Sequence, residues 1–256
     1  MIKLPTLVFV ALSAGIVAGP ICAQPPRGRA AAVKPYAPIP IKLPAVPDDP
    51  KLETLRKELA EIARGRVYAK LAPLIEPKNF FWDRDFGNAF DNRKPGIDNL
   101  AHALRLEHEN GAGWMSLADF AADKSAGALD SRPGVFCTPG PPAFDGVELD
   151  KLTDVTRTDP PDWVYTRAPD IPVRIAPQAD AAIVEKLGLH FVRILGFEGP
   201  DAGTPARAQW ARIATPAGNT GYVAPNALLS LTAERLCYAR NALGDWRIVG
   251  FVGGGD

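Results

Sequence analysis

The chain has 256 residues, with 29 lysines and arginines balanced by 29 aspartates and glutamates. A balance this even gives no electrostatic footprint for nucleic acid or an anionic membrane, so neither is expected as a main partner. The length is enough for one large domain or two small ones, each with its own core.

The N-terminus has the three parts of an export signal. Lys3 supplies the positive region, residues 7–17 are apolar, and Gly19-Pro20 breaks the run before the small residue Ala23. The apolar run is shorter than the ~20 residues of a membrane helix, and no later segment approaches that length. Residues 1–23 are therefore expected to be a cleaved signal peptide, leaving a periplasmic or secreted protein. Cys22 offers the alternative of lipid attachment, against which Pro20-Ile21 stands where a small residue is needed. Beyond the signal, Cys137 and Cys237 remain. In an oxidising compartment an even pair reads as a disulfide, with two buried thiols as the alternative.

Residues 24–50 hold eight prolines without apolar periodicity and read as an extended linker. A helix-rich α+β domain is expected over residues 51–165. Asp49 can cap its first helix and Pro50 can occupy the first helical position. Leu52, Leu55, Leu59 and Ile62 fall on one helix face, with Glu53, Arg56, Lys57 and Glu61 on the other. Gly65 weakens this helix, and residues 69–72 offer a resumption. Residues 79–87, rich in aromatics, predict a strand running into a glycine turn. Further helices are predicted over residues 98–109, around Trp114, Leu117 and Phe120, and over residues 148–158.

After Pro172 short apolar runs alternate with glycine, proline and polar turns, the texture of an all-β unit. Strands are predicted at residues 173–175, 183–186, 191–197, 210–214 and 221–224. A final hairpin pairs residues 236–240 with 246–252 across the turn Asn241-Ala242-Leu243-Gly244-Asp245.

This β unit resembles the bacterial SH3 domain, SH3b. The likeness runs from Val173-Arg174 and Pro177 through Ile183-Val184, Leu187, Val192 and Ile194-Leu195. It continues with Trp210, Ile213, Gly218, Gly221-Tyr222-Val223 and Leu228, covering residues 171–231. It implies a small SH3-like β-barrel. It departs from the pattern at His190, where related domains commonly have glycine, and in the long segment between Gly196 and Gln209. The run Gly244-Asp245-Trp246-Arg247-Ile248-Val249 is also similar to the last strand of cystatin-like α+β folds. The C-terminal hairpin over residues 232–256 lies beyond the barrel, and is expected to pack back on the body from this likeness and from a Cys137–Cys237 bond. The fold class expected is thus α+β: helix-rich domain, barrel, hairpin.

The inventory of reactive groups is thin. His102 and His108, six apart, fall on different helix faces, and no Cys-x-x-Cys unit accompanies them, so no metal site or cofactor is expected. A cysteine peptidase would have to pair Cys137 with His190, which lies inside the β pattern. Asp83 and Asp85, alternate residues of a strand, would point the same way as a carboxylate pair for glycan hydrolysis. The competing reading makes the aromatics core and the aspartates a solvated turn. In the barrel, Trp210 and Tyr222 are either an aromatic groove or core filler. The function expected is an exported, non-enzymatic binding protein of the cell envelope. Trp210, Tyr222 and His190 are its candidate ligand-binding residues, and peptidoglycan or an envelope protein is its partner. The alternative is a wall-glycan enzyme acting at Asp83/Asp85.

Overall fold

The computed structural model describes residues 33–84, 87–108, 111–199 and 209–253. The expectations for residues 1–23, Cys22 and Asp85 lie outside them. In chain order the elements are α1 (Pro50–Gly65), β1 (Phe81–Arg84), β2 (Gly87–Asn88), α2 (Gly96–Leu104) and α3 (Ala112–Ala122). Next come β3 (Gly127–Ala128), β4 (Phe136–Thr138), α4 (Gly146–Thr156), β5 (Trp163–Thr166), β6 (Ile171–Arg174) and β7 (Ile183–Leu187). The chain then runs through β8 (Phe191–Glu198), β9 (Trp210–Ala214), β10 (Thr220–Val223) and β11 (Leu228–Ser230) to β12 (Arg235–Arg240) and β13 (Trp246–Val252). This is a mixed α+β protein with two sheets, its C-terminal part rich in strands.

The first sheet is mixed, in the order β2-β1-β13-β12-β4-β3, with β1 parallel to β13 and the other pairs antiparallel. Helices α1, α2 and α3 pack on one of its faces. The apolar stripe of α1 (Leu52, Leu55, Leu59, Ile62) meets Trp82, Leu236, Tyr238, Ile248 and Phe251 in a single buried cluster. Each such aliphatic side chain, fully buried, contributes roughly 1.5–3 kcal/mol. Asp49 starts α1 by accepting the Lys51 N–H at 2.9 Å, Pro50 follows, and Arg66 ends it in the left-handed conformation (φ 52°). Two 3-10 turns, Tyr68–Lys70 and Ala72–Leu74, replace any continuation of that helix.

On the face away from the helices, Cys137 and Cys237 lie directly opposite each other in β4 and β12 and form a disulfide, Cα to Cα 4.0 Å. Both are fully buried beside Phe81 and Val135. The bond spans 100 residues, for which the chain-entropy model gives about 4.7 kcal/mol.

The second sheet is antiparallel throughout, in the order β11-β5-β8-β9-β10-β6-β7. Its inner face carries one cluster, with Val164, Val173, Leu187, Val192, Ile213, Val223 and Leu228 among its members. Leu228 and Leu187 come from the two end strands, so the sheet curls around a common core. The ladder does not close, because β11 and β7 are its ends. Among the described residues the sheet therefore forms no closed barrel, and the expected SH3-like barrel is not what this sheet shows. The strand Trp163–Thr166, which the sequence places with the helical part, also pairs in this sheet.

Two further expectations change. Helix α2 stops at Leu104, five residues early, because Arg105 turns left-handed (φ 54°). The proline-rich segment is no free spacer from residue 33 onward. It runs as a strap along the body, with isolated bridges Pro40 to His190, Lys42 to Ala143 and Ala45 to Ser125. Ile39 and Ile41 are buried with Trp163, Tyr165 and Phe191, and the Tyr36 hydroxyl donates to the Ala214 carbonyl at 3.0 Å.

The helices and the curled sheet meet at Asp123, the C-cap of α3, which is 5% exposed. Its carboxylate pairs with Arg167 just after β5 and accepts the Ser125 N–H at 2.7 Å. Its carbonyl accepts from Arg56 of α1. Arg56, expected on the charged outer face of α1, is instead buried. It borders the apolar stripe, one residue past Leu55, and turns inward to this carbonyl. Removing one partner of a buried ion pair costs about 3–5 kcal/mol. Asp123→Asn should lower the urea unfolding free energy by roughly 2–4 kcal/mol, whereas exposed Asp130→Asn should stay within about 0.5 kcal/mol. Equal effects would contradict the buried role.

Candidate functional site

Alternation along β9 decides how Trp210 and Tyr222 are placed. Ala211 and Ile213 point into the inner cluster, so Trp210 and Arg212 project from the outer face. In β10, Val223 is inner and Tyr222 outer. Register sets Tyr222 between Arg174 of β6 and Arg212 of β9, a row across three strands. Trp210 stands opposite Glu198 of β8. All five side chains are half-buried. Trp210 and Tyr222 are therefore surface-side residues and not filler of the inner core.

The Tyr222 hydroxyl donates to Glu198 Oε1 at 2.9 Å. Burial pushes this phenol above its ordinary value, the Glu198 carboxylate pushes it further, and the neighbouring Arg212 guanidinium pulls it back. The result is a neutral hydroxyl fixed between a cation and an anion. It holds the aromatic ring in place against the strand surface. At the end of the same row lies Gly196, opposite Arg212, with no described residue where a side chain would stand.

His190 is not part of this arrangement. It precedes β8, whereas Glu198 ends it, eight residues and about 25 Å along an extended strand. There its Nδ1 donates to the Phe191 carbonyl at 3.0 Å, and its backbone bridges to Pro40 of the strap. The structure thus brings Trp210 and Tyr222 together and separates His190 from both.

Asp83 lies on the mixed sheet and pairs with Arg132 at 3.2 Å, whose guanidinium sits 4.0 Å from the centre of the Phe81 ring. Its carboxylate is held by an ion pair on the sheet surface. Among the described residues no group of three or more His, Cys, Asp or Glu side chains is placed to hold a metal ion. His102 packs its ring edge-to-face against Trp82, 5.5 Å between centroids.

No local sequence pattern marks the concavity on the mixed sheet. A cleft of about 480 Å³ opens between residues 47–49, residues 133–136 and the end of the β12–β13 hairpin. Asp49 there accepts from the Trp246 indole N–H at 2.7 Å and from Arg240, and these donors hold its carboxyl below the usual range. Asp49 and Trp246 are 197 residues apart, and no local pattern connects them.

Comparison with known proteins returns no matching family model, no matching curated protein and no matching solved structure.

All five tyrosines are shifted upward. Burial raises Tyr165 and Tyr238 to about 12, burial and Asp98 raise Tyr68 to about 12, and burial leads the upward shifts of Tyr36 and Tyr222. Groups raised in the fold stabilise it below the unfolded value of about 10 and lose that contribution as pH rises towards the folded values. Near pH 10 the native protein should therefore show little tyrosinate absorbance, while the urea-unfolded chain shows about half its full amount. Equal tyrosinate in both states would contradict the packing of these side chains.

Proposed function

We propose that the chain is an exported, non-enzymatic binding protein of the cell envelope, and that the outer face of its curled sheet takes a cell-wall peptide or a protein segment. The observation that carries this reading is the row Arg174–Tyr222–Arg212 with Trp210 beside it. Aromatic rings and guanidinium groups, half-buried and held in place, are the side chains that anchor recognition surfaces. The Tyr222–Glu198 hydrogen bond fixes the ring before a ligand arrives, which lowers the entropy lost on binding.

Two further features fit an extracytoplasmic setting. A buried disulfide belongs with an oxidising compartment. No helix among the described residues is long and apolar enough to cross a membrane. The export signal read in residues 1–23 is the third element of the proposal. SH3b resemblance supplies the cell wall as the first ligand to test, by fold-level analogy.

The test is a pull-down of the protein with purified, protein-free peptidoglycan sacculi. Tyr222→Ala and Arg212→Ala should each weaken retention by about tenfold or more, with circular dichroism showing the fold intact. Retention no better than a control protein, or untouched by both substitutions, would overturn the wall reading.

A further inference from the structure

The cleft on the mixed sheet arises from a mismatch of strand lengths. β4 pairs with β12 only through Phe136 to Thr138, opposite Tyr238, Cys237 and Leu236. β12 continues through Ala239 and Arg240, which pair on their other side with Arg247 and Trp246. The chain before β4 turns away at Pro133 and Gly134 (φ 80°) instead of following that edge. Ala239 and Arg240 thus line a notch where a neighbouring strand would continue.

The side chains of the notch are equally specific. Trp246 and Phe136 meet edge-to-face, centroids 6.2 Å apart, and form its aromatic side. Pro47 and Pro133 stand among its rim residues without N–H groups to offer. Three charged residues line it: Asp48, Asp49 and Arg240. Asp49 and Arg240 neutralise each other, and Arg240 also lies over the Trp246 ring, 5.4 Å from its centre. Asp48 is exposed and makes no ion pair among the described residues. The lining therefore carries one uncompensated negative charge next to an aromatic surface.

We infer that this notch docks an extended peptide segment carrying a basic side chain, which adds to the edge of β12 at Ala239–Arg240. Backbone pairing with Arg240, the residue of this stretch whose N–H and C=O face away from β13, supplies the affinity. The basic head group meets Asp48, and its aliphatic stem lies along half-buried Phe136, since Trp246 is 5% exposed and already covered by Arg240. An acidic side chain in the same place faces Asp48 unpaired. A second copy of this chain offering the same edge adds another net negative lining and no unpaired cation from that lining to meet Asp48. The site is on the other sheet from Tyr222, and its occupation is independent of wall binding.

Titration of the ¹⁵N-labelled protein with acetyl-Ala-Lys-Val-Ala-amide, and with its glutamate and norleucine counterparts, tests this by NMR. The lysine peptide should bind about tenfold or more tighter than the glutamate peptide at low salt, shifting the Ala239 and Arg240 amides and the Trp246 indole. Asp48→Lys should reverse the order of the two charged peptides while leaving the amide spectrum of the free protein otherwise in place. Equal binding of the three peptides, an unreversed order in Asp48→Lys, or shifts confined to other residues would overturn the inference. Concentration-dependent shifts of the same amides without peptide would do so as well, by assigning the edge to self-association. Tyr222→Ala should leave these shifts unchanged, so a failed sacculus experiment and a failed peptide titration are distinguishable.

Discussion

Asp123 is the constraint on which the rest of the structure depends. A carboxylate this deeply buried is stable only with its charge and its lone pairs engaged. Arg167 meets the charge, and Ser125 satisfies one oxygen further. Arg56 engages the carbonyl of the same residue. Those three partners come from the chain after β5, from the turn after α3 and from α1. Satisfying one residue thus fixes the curled sheet, the helical layer and the turn that bridges to the strap. Ser125 passes the constraint on, since its hydroxyl accepts the Gly140 N–H at 3.0 Å and its backbone bridges to Ala45.

With that corner set, each sheet presents a different surface. The curled sheet buries its inner face against itself and covers part of its outer face with the strap, leaving the Arg174–Tyr222–Arg212 row at the other part. The mixed sheet is covered by helices on one face and locked by the disulfide on the other. Its irregularity, β4 ending before β12 does, leaves a notch. Both surfaces combine aromatic rings with fixed charges, but their polarity differs. The row on the curled sheet is flanked by guanidinium groups, whereas the notch carries the unpaired Asp48.

Local rules made some of this legible in the sequence. Asp49 and Pro50 mark the start of α1 because a cap acts over two or three residues. The strands from β7 to β10 announce themselves through two-residue alternation and glycine turns. Cys137 and Cys237 are the pair left once Cys22 is set aside with the expected signal peptide. Other elements are invisible to local rules. β3 and β4 are two and three residues long, too short for any period to show. β5 is buried at all four positions, so it has no alternation to read. The strap hides behind its prolines, because its structure consists of isolated bridges to distant partners and not of a ladder. Arg56 fails for a related reason: a residue on the border of a helix stripe is drawn in or left out by a partner 67 residues away. At the candidate site the residue types Trp210 and Tyr222 stood out, yet their relation to Arg174, Arg212 and Glu198 is a matter of register. The SH3b resemblance draws attention to His190 as a departure from its pattern, and β8 carries that residue to the opposite end from Trp210 and Tyr222.

If Asp123 joins the helical layer to the curled sheet as described, the two sheets open as one unit. Native-state hydrogen exchange under increasing denaturant measures this directly. The account predicts that the slowest amides of β8 and β9 share one opening free energy with those of β12 and β13, and lose it together. A curled sheet that opens at a clearly lower free energy than the disulfide-locked sheet would contradict it.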